Sequence, residues 1–425
     1  MYRLITLIIC FCTVLNNARP QVSLSTDTLS LSMQEAENLF LKNNFDLLAA
    51  KYQIKEADAA MIQARLWDNP NFNFEQGAYN GDTKKWFDFS KSGESAASVQ
   101  QLIYLAGKRN KRINIEKINL QMTRYQFYDL IRTLRFELRT SFVELYCLQQ
   151  TLSVYDRELE PLNTLIEAYY TEYQKGNVAF KELARLQALQ FSLENEKLEV
   201  TKNVYEKQAN MILLIGDSLS RSIKPVISFS SLDGINPNSF NLVQLIDSAL
   251  NNRSDLKIAE SQIESEKMNL SLQKAMRVPD MTIGARYDKA GSYVHNYNAV
   301  SLGFDLPLWN HNQGNIKISE NKIEENKVVK NQKELEIKSE ITKAYIQFIE
   351  TDKLYKSSSR RFDSNFEKLF NGLADAYKNH TISLLEFIDY FETYKDSKIE
   401  YYHLLNNRFE AIESLNLAVG TTIIK

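Results

Sequence analysis

Glu386 and Asp389 stand three residues apart in a helical pattern, so their carboxylates share one helix face and concentrate negative charge there. The other residue types capable of chemistry are dispersed. The 4 histidines, His295, His311, His380 and His403, show no metal-ligand spacing, and His380 reads as a solvated turn residue. Cys10 and Cys12 fall inside an N-terminal apolar run, where the preceding Ile9 and Phe11 are too large for a lipoprotein cleavage site. That leaves Cys147, which builds neither a disulfide nor a CxxC metal site and reads as a packing residue in a helix. No Ser/His/Asp set, phosphate loop or nucleotide motif is present. The expectation is a protein that is not an enzyme and takes no cofactor or metal of its own.

Charge and composition narrow the class. A formal net charge of −2 with 24% charged residues leaves no basic footprint for nucleic acid and no acidic tail. Only 13 glycines and 7 prolines punctuate 425 residues, so long uninterrupted helices are expected. Arg3 followed by the apolar run Leu4 to Leu15 has the length of a signal-peptide core and is too short to span a bilayer. Residues 1–20 are therefore read as a signal peptide, with a small N-terminal anchor as the alternative.

The chain repeats itself. Leu31–Leu47 lies over Phe240–Leu256, with Asp255 following Asp46 by 209 positions (255 − 46), and the same offset relates Pro279 to Pro70. An internal repeat constrains architecture before any motif does. Each half should run helix, two strands, very long helix, turn, return helix.

No later stretch holds 18 consecutive apolar residues, so a membrane crossing would need a closed barrel, the only other way to satisfy every backbone polar group in lipid. Four segments alternate as tilted transmembrane strands do. Phe72 and Phe74 alternate with Asn71, Asn73 and Glu75, while Ala97, Val99 and Ile103 share a face. Met281, Ile283, Ala285 and Tyr287 alternate with Asp280, Thr282, Gly284 and Arg286, and Val300, Leu302, Phe304 and Leu306 with Ser301, Gly303 and Asp305. Trp67 and Trp309 flank the helix side, and Tyr79, Trp86, Phe87, Phe89, Tyr293 and Tyr297 the other, as interfacial aromatics do. A soluble hairpin packed on the helices is the alternative. Four strands cannot enclose a channel, so copies must pool them, and three copies would supply 12.

Phe127, Ile131, Leu134, Leu138, Phe142, Leu145, Leu148, Leu152 and Tyr155 recur in steps of three and four along one helical stripe. At 1.5 Å per residue the segment containing them runs roughly 100 Å, with a bend or local break expected at Pro161. Ile337, Ile341, Ala344 and Phe348 repeat the design. Lys108, Arg109, Lys111 and Arg112 read either as contacts to lipid phosphates or as a solvated helix start.

The tandem halves, Asn69-Pro-Asn-Phe72, Val278-Pro-Asp-Met281, Gln100-Gln-Leu-Ile-Tyr-Leu-Ala-Gly-Lys-Arg109 and Leu306-Pro-Leu-Trp-Asn-His-Asn-Gln-Gly314 resemble the TolC-type outer-membrane efflux proteins over about 29–420, and Gly107-Lys108-Arg109 is similar to the heavy-metal branch. The resemblance implies a mainly α chain with a transmembrane β-barrel: four strands per chain in a 12-strand homotrimeric barrel, over a long α-helical barrel in the periplasm of a Gram-negative bacterium. It implies a first repeat at 29–239, with strands at about 70–80 and 95–105, a long helix at about 107–175, a return helix at about 178–214 and an equatorial segment at about 215–239. The second repeat, 240–420, would have strands at about 279–288 and 297–307, a long helix at about 313–378 and a return helix at about 382–418.

By the same resemblance the chain is the exit duct of a tripartite efflux pump. Its partners would be a periplasmic adaptor, an inner-membrane transporter with the RND type as candidate, and outer-membrane lipid, with no nucleic acid. The gate falls on Glu182, Glu386 and Asp389, where rings of carboxylates would raise one another's pKa values; solvated charges on a helix tip are the alternative. Adaptor docking falls on Gly176, Asn177, Val178, Ala179, His380, Thr381, Ile382, Ser383 and Leu384, unless these pack inside the trimer. Heavy-metal cations are the expected cargo, with type I secretion or organic-solute and multidrug export as alternatives. A soluble periplasmic coiled-coil scaffold is the rival from another class.

Overall fold

The computed structural model describes residues 28–217, 219, 221–229, 234–290, 294–359, 372, 373, 376, 377, 379 and 381–424. The expected signal peptide at 1–20, Tyr293 and His380 lie outside the described residues. The chain divides into two compact units, residues 1–44 with 141–229 and residues 45–140 with 230–425.

The first unit contains β1 (Thr28–Ser32), α1 (Met33–Asn43), the part of α3 (Lys108–Gln174) beyond Thr140, α4 (Phe180–Ile215) and β6 (Ser222–Val226). Helix α1 starts in a capping box: Glu35 N–H donates to Ser32 Oγ, and Ser32 N–H donates to the Glu35 carboxylate at 2.8 Å. β1 and β6 pair in parallel, Leu29 opposite Ile223. Gln208 extends that ladder with a side chain, its amide donating to Ile223 O at 2.7 Å while its Oε1 accepts from Ile223 N–H at 2.8 Å.

Helices α3 and α4 run antiparallel, tied in order by Glu144–Lys207, Asp156–Lys197 and Asn163–Gln190. Their shared core includes Leu162, Leu186 and Leu193, all fully buried. Helix α3 continues through Pro161 without a break, contrary to one branch of the expectation. Proline removes one backbone bond, but buried Leu159, Leu162 and Leu165 on either side hold the helix against α4. Gly216 ends α4 at φ +65°, where a Cβ would sit 2.6 Å from Asn43 O, so glycine is required twice over.

The second unit holds α2 (Phe45–Arg65), β2 (Asn71–Gln76), the short pair β3 (Tyr79–Asn80) and β4 (Lys85–Trp86), β5 (Ser95–Ile103), and α3 up to Thr140. After a short 3-10 turn come α5 (Leu242–Asn252), α6 (Ser254–Ala275), β7 (Met281–Ala290), β8 (His295–Phe304), α7 (Gln313–Ser359) and α8 (Leu384–Val419). One antiparallel sheet runs in the order β2-β5-β7-β8. The repeat is visible in helix starts: α1 and α2 begin at 33 and 45, α5 and α6 at 242 and 254, each 209 later (242 − 33; 254 − 45).

Charge is buried where α7 meets α8. Arg408 and Asp352 are almost wholly buried, 2.8 Å apart, with Lys356 on the second carboxylate oxygen at 2.8 Å and the Arg408 guanidinium over the Tyr355 ring. The end of α8 is capped by two guanidinium groups, Arg132 donating to Leu417 O and Arg253 to Ala418 O.

Candidate functional site: the strand sheet and the helix turns

The four strands are in a register that sorts side chains by polarity. Phe72, Val99, Ala285 and Val300 stand opposite one another across all four strands; on the same face Ile103, Met281 and Phe304 form a row over three strands, and Gln101 stands beside Ile283 and Leu302 as a polar exception. The other face carries Asn73, Ser98 and Arg286 in one row, and Asn71, Gln100, Gly284 and Ser301 in the next. Space is tight on that face: a Cβ on Gly284 would lie 2.6 Å from Ser301 Oγ.

The apolar face is uncovered in the single chain, with Phe72 66%, Leu302 64% and Val300 80% exposed. Leaving such side chains in water forgoes about 1.5–3 kcal/mol each. A sheet with one apolar and one polar face, exposed on the apolar side, is suited to lipid. Among the described residues no helix is long and apolar enough to cross a membrane.

Aromatics bracket the sheet. Trp67 and Trp309 are exposed near the helix side; Tyr79 and Trp86 pack at 5.3 Å on the β3–β4 hairpin, with Phe87 and Phe89 exposed beside them. Asp88 organises this loop. Its carboxylate accepts from Ser90 N–H at 2.9 Å and Thr83 Oγ at 2.6 Å, and these bonds, those from Ser90 first, hold its pKa down at about 2.

Within the basic cluster after β5, Lys108 is buried while Arg109, Lys111 and Arg112 are half-exposed. Lys108 is 3% exposed, with Nζ 2.8 Å from Asp280 Oδ1 and 2.6 Å from Val278 O. The Arg109 guanidinium lies over Trp67 and donates to Arg65 O, and that of Arg112 lies over Tyr104. Tyr104 in turn donates to Asp68 at 2.5 Å. The cluster joins strand ends to helix starts.

The first turn follows α3. Gly176 adopts φ +81°, Asn177 N–H donates to Glu172 O at 3.0 Å, and the Asn177 side chain donates to the Glu172 carboxylate at 2.6 Å. Asn177, then Lys175, lowers the Glu172 pKa. Val178 is half-buried and Ala179 exposed; Ala179 occupies the N-cap of α4 without a side-chain bond, and Glu182 is half-exposed three residues on.

At the second turn Thr381 N–H and Oγ both donate to Ala376 O, Ile382 and Leu384 are half-buried, and Ser383 is the N-cap of α8. Glu386 closes a capping box, accepting from Ser383 N–H and Ser383 Oγ at 2.8 Å each. The backbone bond from Ser383, then its hydroxyl, pulls the Glu386 pKa below the ordinary carboxylate value in the single chain. The Ser383-Leu-Leu-Glu386 spacing carried that signal. Asp389 is exposed one turn further on, while Phe387 stacks on Tyr377 at 5.0 Å.

Cys147 is buried, and burial, with Glu144 adding to it, pushes its thiol up to about 12. Among the described residues no group of His, Cys, Asp and Glu is placed to hold a metal ion.

Residues 37–217 match the family model described as outer membrane efflux protein. The chain is 18% identical over 392 residues to the cobalt-zinc-cadmium resistance protein CzcC of Cupriavidus metallidurans, covering 92% of this chain and 90% of that protein. Its fold is similar to the CmeC outer membrane channel of Campylobacter jejuni, with TM-score 0.74 and 13% identity over 92% of this chain and 86% of that one. The MtrE outer membrane channel of Neisseria gonorrhoeae, crystallised in its open state, gives TM-score 0.70 and 14% identity over 92% and 89%.

Proposed function

This chain belongs to the TolC-like outer-membrane efflux proteins, channels of tripartite pumps, and on that premise we propose that it is the outer-membrane exit duct of a pump for heavy-metal cations. One observation carries the duct reading: a sheet apolar and exposed on one face, polar on the other, in a chain otherwise built from long helices. Three copies would close 12 such strands around a polar lumen, as a homotrimer set in outer-membrane lipid. Trp67 and Trp309 would mark one membrane interface, Tyr79 and Trp86 the other. Residues 1–20 would be the exported leader, and 29–239 and 240–420 the two repeats.

The duct conducts passively; its role in the family is transport and not catalysis. An inner-membrane transporter, with the RND type as candidate, would supply energy, and a periplasmic adaptor would dock on Gly176, Asn177, Val178 and Ala179 and on Thr381, Ile382, Ser383 and Leu384, with His380 beside them. Glu182, Glu386 and Asp389 would form the constriction. Metal cargo is supported by the likeness to CzcC, and the proposed carboxylate constriction would attract cations.

The test has two stages. Recovery of the protein in the soluble periplasm would overturn the duct. Given an outer-membrane channel, cells lacking the protein should become sensitive to cobalt, zinc or cadmium; sensitivity to organic solutes alone, or loss of a secreted protein, would replace the metal reading with those cargoes.

A further inference from the structure

β2 and β8 are the edges of the four-stranded sheet, each paired on one side only, and unpaired edges are templates for another strand. Between them the sheet holds its own example of how one repeat joins the other: β5 runs antiparallel to β7, with Val99 opposite Ala285 and Ile103 opposite Met281. The repeat relates this seam to the edges. Phe72 faces Val99 as Met281 faces Phe304, so β7 follows β2 by 209 positions (281 − 72) and β8 follows β5 by 205 (304 − 99). The helices after the strands agree, α3 beginning at Lys108 and α7 at Gln313, again 205 apart (313 − 108). Each is preceded by a residue of positive φ, Gly107 and Asn312.

Resting on the reading that copies of this chain pool their strands, we infer that β8 of one copy joins β2 of the next in the register that β5 has on β7. Phe304 then stands opposite Gln76, Leu302 opposite Ala78 and Leu306 opposite Phe74. The parity is right: Leu302, Phe304 and Leu306 meet the strand face that carries Phe72 and Phe74, whereas a slip by one residue would turn the asparagines toward lipid. Pro307, the next residue, has no N–H to give and ends the ladder.

The same correspondence exposes a difference between the two seams. Inside the chain Lys108 and Asp280 form an ion pair with the lysine buried. Between copies the equivalent positions are Gln313 and Asn71, neutral and exposed in the single chain. The seam within each chain is bonded by charge, the seam between chains by amides.

The register is tested with the full-length chain in cell membranes carrying Phe304→Cys and Gln76→Cys, oxidised and run on a non-reducing gel. A covalent oligomer is expected, absent from either single variant and from the wild type under the same oxidation. It should also be lost in Val300→Cys with Gln76→Cys, a displacement of four residues or roughly 13 Å along the strand, outside the Cα separation of about 4.4–6.8 Å that a disulfide spans. A stronger oligomer from the displaced pair overturns the register and leaves the duct standing. A chain that stays monomeric with every pair, and is found in the soluble fraction, overturns both.

A second measurement uses no cysteine. Asn71→Asp and Gln313→Lys should each lower the temperature at which the oligomer dissociates, and together restore it. Simple addition of the two losses would overturn the placement of Gln313 opposite Asn71.

Discussion

Lys108 and Asp280, 172 residues apart in sequence, meet at 2.8 Å, with the lysine 3% exposed and its ammonium also donating to Val278 O. Removing the carboxylate strands a buried cation. Asp280→Ala is therefore expected to cost about 2 kcal/mol, below the range for fully buried pairs because Asp280 itself is partly exposed. Lys108→Met fills the same space and leaves the more exposed partner, at about 1 kcal/mol. Thermal unfolding of the detergent-purified protein should rank them in that order.

The two sheet faces should respond oppositely to charge. Val300→Lys puts an ammonium on the apolar face and should cost about 2–4 kcal/mol at mid-bilayer depth, seen as loss of protein from the outer-membrane fraction. Ser301→Lys, one residue away on the polar face, should assemble normally and shift the ion preference of the channel toward anions in planar bilayers.

Asp389→Asn and Glu386→Gln separate charge from capping. Asp389→Asn should reduce cation preference in planar bilayers with α8 intact. Glu386→Gln should reduce it too and also loosen the first turn of α8, read as faster amide exchange at residues 384–387. Because the folded-state pKa of Glu386 is lowered, its contribution is fully present above the ordinary carboxylate value and is lost as pH falls through the folded value. First-turn protection should fade on acidification in the wild type and be flat in Glu386→Gln. Unaltered conductance and selectivity in both variants would remove these residues from the gate.

Cys147 should be inert. A buried thiol held at about 12 offers almost no thiolate at neutral pH. Ellman's reagent should fail to modify it in the native protein at pH 8 and react on unfolding; rapid native labelling would contradict its burial, at 5% exposed, on the helix stretch where Phe142, Val143 and Leu145 are fully buried.

Much of this was legible in sequence because it is periodic. The alternation of Val300, Leu302 and Phe304 with Ser301 and Gly303 announces a two-faced strand, and the stripe through Leu138, Phe142 and Leu145 a buried helix face. What escaped is non-local or brief. Nothing near Lys108 names Asp280 as its partner. Thr28–Ser32 and Ser222–Val226 are five residues each, the second holding Pro225, too short for alternation to register, and the structure pairs them although no strand was expected at either, the second lying in the expected equatorial segment. Pro161 breaks no helix because Leu159, Leu162 and Leu165, before and after it, are buried and hold that stretch in place. At the turns, the serine three residues before Glu386 was the one local clue that its carboxylate was already engaged.

The pairing of β1 with β6 orders events in time as well as in space. Thr28–Ser32 leaves the ribosome and the export machinery among the first described residues, yet its partner strand ends at Val226. It must wait for about half the chain, and long-range pairing of that kind is slow. The waiting ends early in another sense: everything in the unit made of residues 1–44 and 141–229 is delivered before the second repeat begins, while the unit that carries the four-stranded sheet needs β8 and α8 from the far end. Synthesis thus completes the ingredients of one unit with nearly 200 residues (425 − 229) still to come, and of the sheet's two outer strands β2 is made early while β8 follows only in the second half.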